Sequence, residues 1–174
     1  RNPLRRYGLH FGDAPDPTIV LPTRLDPQRS SQVCGQCHSV WEFYDLPGER
    51  FANREGLPYR PGDELGDTRF IAQPSVDQNS PEIRALVQGD PEFVRGSFWP
   101  DGMIRVSGRE YNGLIDSPCF QQATDPERTL SCFSCHGMHQ TPDDPRPIDE
   151  WAETHQVSTG MNGNEGCLQC HDSI

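Results

Sequence analysis

The segment Ser131-Cys132-Phe133-Ser134-Cys135-His136-Gly137-Met138-His139-Gln140 places two thiols and two imidazoles within eight consecutive positions. The same arrangement, Cys-x-x-Cys followed at once by His, stands at Cys34, Cys37 and His38 and again at Cys167, Cys170 and His171. Six of the seven cysteines are used in this way. A zinc ribbon explains paired cysteines but not a histidine directly after every pair. A thioredoxin-like site needs one reactive pair at a strand-to-helix junction, and a disulfide framework leaves the histidines without a role and one cysteine odd. Covalent haem attachment accounts for all nine residues. On a helical turn, residues i, i+3 and i+4 share a face, so two thiols add to the two vinyl groups of a haem while the next imidazole points at its iron.

Each haem iron has a second axial position, which Met or His fills or which stays open to substrate. His139 follows His136 by three residues, on roughly the same helical face, so it is expected to serve a neighbouring haem rather than its own. Three residues of helix rise only about 4.5 Å, which would hold two haems at electron-transfer spacing. His10 and His155 are the remaining histidines outside the motifs, so three distal candidates match three irons. Met103, Met138 and Met161 are the alternative ligands. Cys119, in Asp116-Ser117-Pro118-Cys119-Phe120, reads as a small buried hydrophobe, with an intermolecular disulfide or a site contact as alternatives.

The elements that position these groups have little apolar material. Hydrophobic residues make up 33% of 174, beside 16 Gly and 17 Pro. A core that thin needs a bulky prosthetic group. The expected fold is mainly irregular, with a few short α-helices and a small β-hairpin, organised around covalently bound haems in one module spanning residues 1–174. Ser30 or Ser31 is expected to cap a helix that carries the first motif for about four turns and ends at Leu46-Pro47-Gly48. Residues 53–67 read as loop, 80–88 as a short helix with Ser80 as cap and Pro81 at its first position, and 98–106 as a tight hairpin around Pro100-Asp101-Gly102. Phe98, Trp99 and Tyr111 are expected in the core, against porphyrin faces.

A net charge of −11 and the absence of lysine argue against nucleic acid as a partner. The 15 arginines are scattered apart from Arg1, Arg5 and Arg6, and read as solvated surface charge. No apolar run approaches the roughly 18 residues of a membrane span.

Four stretches carry a family resemblance: Arg29 to Trp41 (RSSQVCGQCHSVW), Phe98 to Phe120 (FWPDGMIRVSGREYNGLIDSPCF), Leu130 to His139 (LSCFSCHGMH) and Gly163 to His171 (GNEGCLQCH). They resemble the multihaem c-type cytochromes, particularly the cytochrome relatives of the ammonia-oxidation electron carrier that are often fused to tetratricopeptide repeats. Members usually carry further haem motifs on both sides of this region, which implies that the chain is a segment of, or a subunit in, a larger multihaem assembly. Their Cys-x-x-Cys-His-x-x-His segment is similar to the one here, its last His serving another haem. The resemblance also implies haem attachment on the outer side of the bacterial cytoplasmic membrane, hence a periplasmic or extracellular protein with a secretion signal upstream of Arg1.

The expected function is electron transfer through three haem c groups, mostly with two histidine ligands. The alternative is a multihaem oxidoreductase in which one open haem acts on a small nitrogen or sulfur compound. Three spare histidines for three haems, and no Cys-x-x-Cys-Lys attachment site, favour the carrier. Expected partners are other redox proteins, further haem modules, or more copies of the chain joined into an oligomer or filament through exposed haem edges.

Overall fold

The computed structural model describes Gly8 and residues 19–76, 78–125, 128–154 and 156–171. His10 and His155, two of the three distal candidates, lie outside the described residues. Helix takes 43% of the chain, and among the described residues it comes in pieces of ten residues or fewer.

After a single 3-10 turn at Pro22–Arg24, helix α1 spans Pro27–Gly35. Its cap is Asp26, whose carboxylate accepts the Arg29 amide at 2.9 Å, and Pro27 pre-sets the first helical residue. Ser30 and Ser31, the expected caps, are buried inside the helix. The helix also stops far short of four turns. Asp45 and Leu46-Pro47 begin a second helix, α2 at Leu46–Glu55, because proline in a first turn starts a helix as readily as it ends one. Asp45 accepts the Gly48 amide at 2.7 Å.

Between these helices strand β1, Trp41–Glu42, pairs antiparallel with β2, Phe70–Ile71, in the register Trp41 with Ile71 and Glu42 with Phe70. The span read as loop contains the end of α2 and a 3-10 turn at Leu65–Asp67. Helix α3, Pro81–Gly89, starts at Ser80, whose hydroxyl accepts the Ile83 amide at 3.1 Å. Helix α4, Phe93–Ser97, leads into a hairpin closed by one antiparallel bridge, Phe98 with Ile104. Helices α5 at Glu110–Asp116 and α6 at Pro118–Gln121 follow, then α7 at Ile148–Glu153 and α8 at Glu165–Leu168.

Two small apolar clusters hold the centre. Tyr59, Leu65 and Tyr111 pack with Ile71 and Ile115, and Ala72, Ile83 and Phe98 pack with the flanking aliphatic and aromatic side chains of 40–104. Phe98 and Tyr111 are core residues as expected, whereas Trp99 is 53% exposed, with the Arg105 guanidinium 4.9 Å over its ring. Every buried hydrophobic side chain among the described residues falls between Ala52 and Tyr111. The described residues of the segment that carries the second and third motifs therefore include no buried hydrophobic side chain.

Candidate haem-attachment sites

All three motifs adopt one local geometry. The histidine amide donates to the first cysteine's carbonyl at 2.9 Å for His38 and Cys34, 2.9 Å for His136 and Cys132, and 3.1 Å for His171 and Cys167. Each bond closes one helical turn, which stacks residues i, i+3 and i+4 along one side. The turns are built differently. The first is the C-terminal end of α1, the second a 3-10 turn at Cys132–Ser134 held by a reciprocal Ser131 and Ser134 capping box, and the third the end of α8.

The second cysteine's carbonyl, which continues no helix, is satisfied in each motif. Arg109 Nη1 donates to the Cys37 carbonyl at 3.0 Å, the Ser158 amide to that of Cys135 at 2.8 Å, and Arg128 Nη2 to that of Cys170 at 2.9 Å. Arg69 Nη1 adds a bond to the Gln36 carbonyl at 3.0 Å, inside the first motif. Arg69 is fully buried at 0% exposure, with its guanidinium 4.2 Å over the Trp41 ring. Its Nε and Nη2, with the Tyr59 hydroxyl, are the buried side-chain donors without a partner among the described residues. Burial pulls the Arg69 pKa down from its usual value. The arginines are thus not all surface charge, and Arg69 and Arg109 are motif-supporting residues that scattered single arginines do not signal in a sequence.

Around the first motif the geometry is the most complete. The Tyr111 amide donates to the His38 carbonyl at 3.0 Å, placing α5 beside the turn. His38 Nδ1 lies 3.4 Å from Glu110 Oε2. Burial opposes ionisation of Glu110, but the amides of Glu110 and Gly108 and the His38 ring outweigh it and hold the carboxyl below its usual range. A carboxylate on Nδ1 fixes the tautomer and leaves Nε2 as the ligating nitrogen. Buried polar side chains brace the frame. Gln32 accepts the Leu65 amide at 2.9 Å and donates to Glu64 at 2.7 Å, and Asn112 accepts the Val40 amide at 2.7 Å and donates to the Ala72 carbonyl at 2.7 Å.

Gly35, between the first motif's cysteines, touches Tyr111 so closely that a Cβ would lie 2.8 Å from its ring. Gly35→Ala is therefore expected to lose about 1–3 kcal/mol by overpacking, despite alanine's higher helix propensity. Urea unfolding should show the midpoint falling at constant slope.

The motifs are brought together in sequence order. The Cys34 and Cys132 side chains influence each other, the pKa of Cys34 being lowered and that of Cys132 raised. Cys132 is also tied to α1 through its amide and Ser31 Oγ, 3.4 Å apart. On the other side, the Cys135 sulfur packs on Gly166 of α8, where a Cβ would sit 3.5 Å away, and Gln169 donates to the Ser134 carbonyl at 3.2 Å. The second motif thus stands between the first and the third.

His136 forms an antiparallel bridge with Val157, and Gly137 donates to the Gln156 carbonyl at 2.9 Å from a left-handed Gln156 at φ 60°. Arg146 secures this arm, donating to the Val157 carbonyl at 2.8 Å and pairing with Asp144 at 2.5 Å. His139 consequently sits exposed on a bend after the bridge, not on a continued helical face, because pairing with Val157 has pulled the chain out of the helical path. Met103 and Met138 are exposed. Cys119 is exposed on α6 and is not the buried hydrophobe expected.

Each turn carries the residue types that a covalently attached haem would need, two thiols and an imidazole at i, i+3 and i+4. His38, His136 and His171 are exposed, as are Cys37 and Cys167, and the remaining motif thiols are half-buried. Among the described residues, no group of three or more His, Cys, Asp or Glu converges on a position that would hold a metal ion directly. Compared with known proteins, the chain matches no family model, no curated protein and no solved structure.

Proposed function

We propose that the chain is a three-haem c-type cytochrome module that carries electrons. Cys34, Cys37, Cys132, Cys135, Cys167 and Cys170 hold the haems, and His38, His136 and His171 are the proximal ligands. The observation that carries the reading is the threefold recurrence of one closed Cys-x-x-Cys-His turn, in three turns packed in a row. Bound there, haem supplies one-electron chemistry at iron. Glu110 orients His38 through Nδ1, and Arg109 and Arg128 pin the turns that carry the thiols. Contiguous turns favour a short electron path. A net charge of −11 disfavours an added electron and sets the module toward the reducing end of the c-type range.

His139, His10 and His155 are the distal ligand candidates in this reading. Covalent attachment implies a periplasmic or extracellular module, working with other redox proteins, further haem modules or copies of itself. Among the described residues no helix is long and apolar enough to cross a membrane.

The deciding experiment is the intact mass of the denatured native chain, expected to exceed 19.6 kDa by three haems of about 0.6 kDa each. An unmodified mass, or bound zinc alone, rejects the proposal. The reduced protein should bind carbon monoxide slowly or not at all. One rapidly ligated haem per chain would instead favour an oxidoreductase acting on a small nitrogen or sulfur compound.

A further inference from the structure

A cavity of about 570 Å³ lies beside the first motif, of the size that cofactor pockets have. Its wall starts at Ser39, the residue after His38, and includes Trp41, Glu42, Phe93 of α4, Val106 and Arg109. Two bonds tie this wall to the attachment turn. Ser39 Oγ donates to the Gly35 carbonyl at 2.6 Å, and Arg109 Nη1 to the Cys37 carbonyl at 3.0 Å. A group held by the Cys34 and Cys37 sulfurs cannot leave the neighbourhood of that turn, so this cavity is the one within its reach. The aromatic part of the wall is fixed. Trp41 has the Arg69 guanidinium 4.2 Å over its ring and Phe43 edge-on at 5.0 Å, and Phe93 packs on the cluster of Ala72, Ile83 and Phe98. Trp41 and Phe93 are only partly buried, whereas Phe98 and Tyr111, the aromatics expected against porphyrin, are 2% and 6% exposed within the protein's own clusters.

We infer that this cavity seats the porphyrin attached at Cys34 and Cys37, with Trp41, Phe93 and Val106 as its apolar wall and Arg109 as the partner of a propionate. The inference rests on the haem reading. A flat macrocycle with an apolar body and carboxylates at one edge needs apolar side chains for the first and a cation for the second. Among the described residues Arg109 makes both of its hydrogen bonds, to the Cys37 and Gly108 carbonyls, through Nη1. Nε and Nη2 keep their N–H groups for an anion, and a guanidinium grips a carboxylate best through two parallel bonds. Glu42, on the same wall, is exposed and repels a carboxylate, so the propionate belongs at the Arg109 end of the cavity. Arg109 thus acts as a positioning residue twice, once on the Cys37 turn and once on the porphyrin. Its positive charge also favours an added electron on this haem, against the net charge of −11.

The test uses the native, haem-loaded chain in its fully reduced form. Peptide mass first shows whether the peptide holding Cys34 and Cys37 carries haem. Nuclear Overhauser spectra are then expected to connect the methyl and meso protons of that haem to the rings of Trp41 and Phe93 and to the Val106 methyls, and not to Phe98 or Tyr111. Arg109→Gln should lower one midpoint potential, that of the haem touching Trp41, by about threefold in its reduction equilibrium, roughly 30 mV for one electron. Arg109→Lys, which keeps the charge, should restore most of the shift. A purely structural role for Arg109 would move the urea midpoint and leave the potential where it was, and that result would overturn the role given to Arg109. A haem-bearing peptide whose porphyrin touches none of Trp41, Phe93 and Val106 would overturn the inference and leave the haem reading intact. A peptide without haem would reject both.

Discussion

Alanine at both Cys167 and Cys170 is expected to leave a chain whose amides in residues 156–171 exchange at close to unfolded rates, while those of α1, α3 and α5 keep their protection. Among the described residues the buried hydrophobic side chains lie between Ala52 and Tyr111, so none of them anchors α8 from within. Its attachments are polar: Arg128 to the Cys170 carbonyl, Gln169 to the Ser134 carbonyl, and the packing of Cys135 on Gly166. A four-residue helix held by exposed hydrogen bonds is marginal in water. The loss in protection should exceed a hundredfold, about 2.7 kcal/mol of local opening energy. Unchanged exchange in this variant would show that the segment is held without haem, and would remove the structural role assigned to it.

Gly102→Ala is expected to be the most damaging single substitution at a glycine. Gly102 has φ +87°, and a Cβ there would lie 2.4 Å from the Ser75 amide nitrogen and 2.5 Å from its Cα, both backbone atoms. No side-chain rotation relieves such a clash. The residue also closes the hairpin, donating to the Trp99 carbonyl at 2.9 Å while Trp99 donates to Met103 at 2.7 Å. Displacing it unseats Phe98, which is 2% exposed in the second apolar cluster. Left-handed strain and overpacking together come to about 3–5 kcal/mol, a large part of the total for a chain with so small a core. Gly66→Ala is the control, since nothing lies within 4 Å of its Cβ position and its φ is not positive. Equal urea midpoints for the two variants would contradict the close approach of the hairpin to Ser75.

The attachment turns were legible in the sequence because each is local. Spacing of three and four residues, and a carbonyl within reach of the amide four residues on, are enough to close a turn around Cys34, Cys132 or Cys167. The α3 start at Ser80 and Pro81 and the hairpin at Gly102 were legible for the same reason. Pro47 was not, because a proline stands both just past the end of one helix and in the first turn of the next, and only the Asp45 cap bond decides between them. Nor did the pattern Cys-x-x-Cys-His-x-x-His disclose that His136 would pair with Val157 and take His139 off the helical path, since that partner comes from 21 residues further on. The burial of Arg69 against Trp41, the hold of Glu110 on His38 and the meeting of Cys34 with Cys132 belong wholly to the tertiary structure. Sequence by itself determined where the three Cys-x-x-Cys-His turns on which the haem proposal rests would form, because that depends on a pattern repeated at short range. The order in which the three turns touch was decided by packing, because those contacts join residues that only the folded central segment brings together.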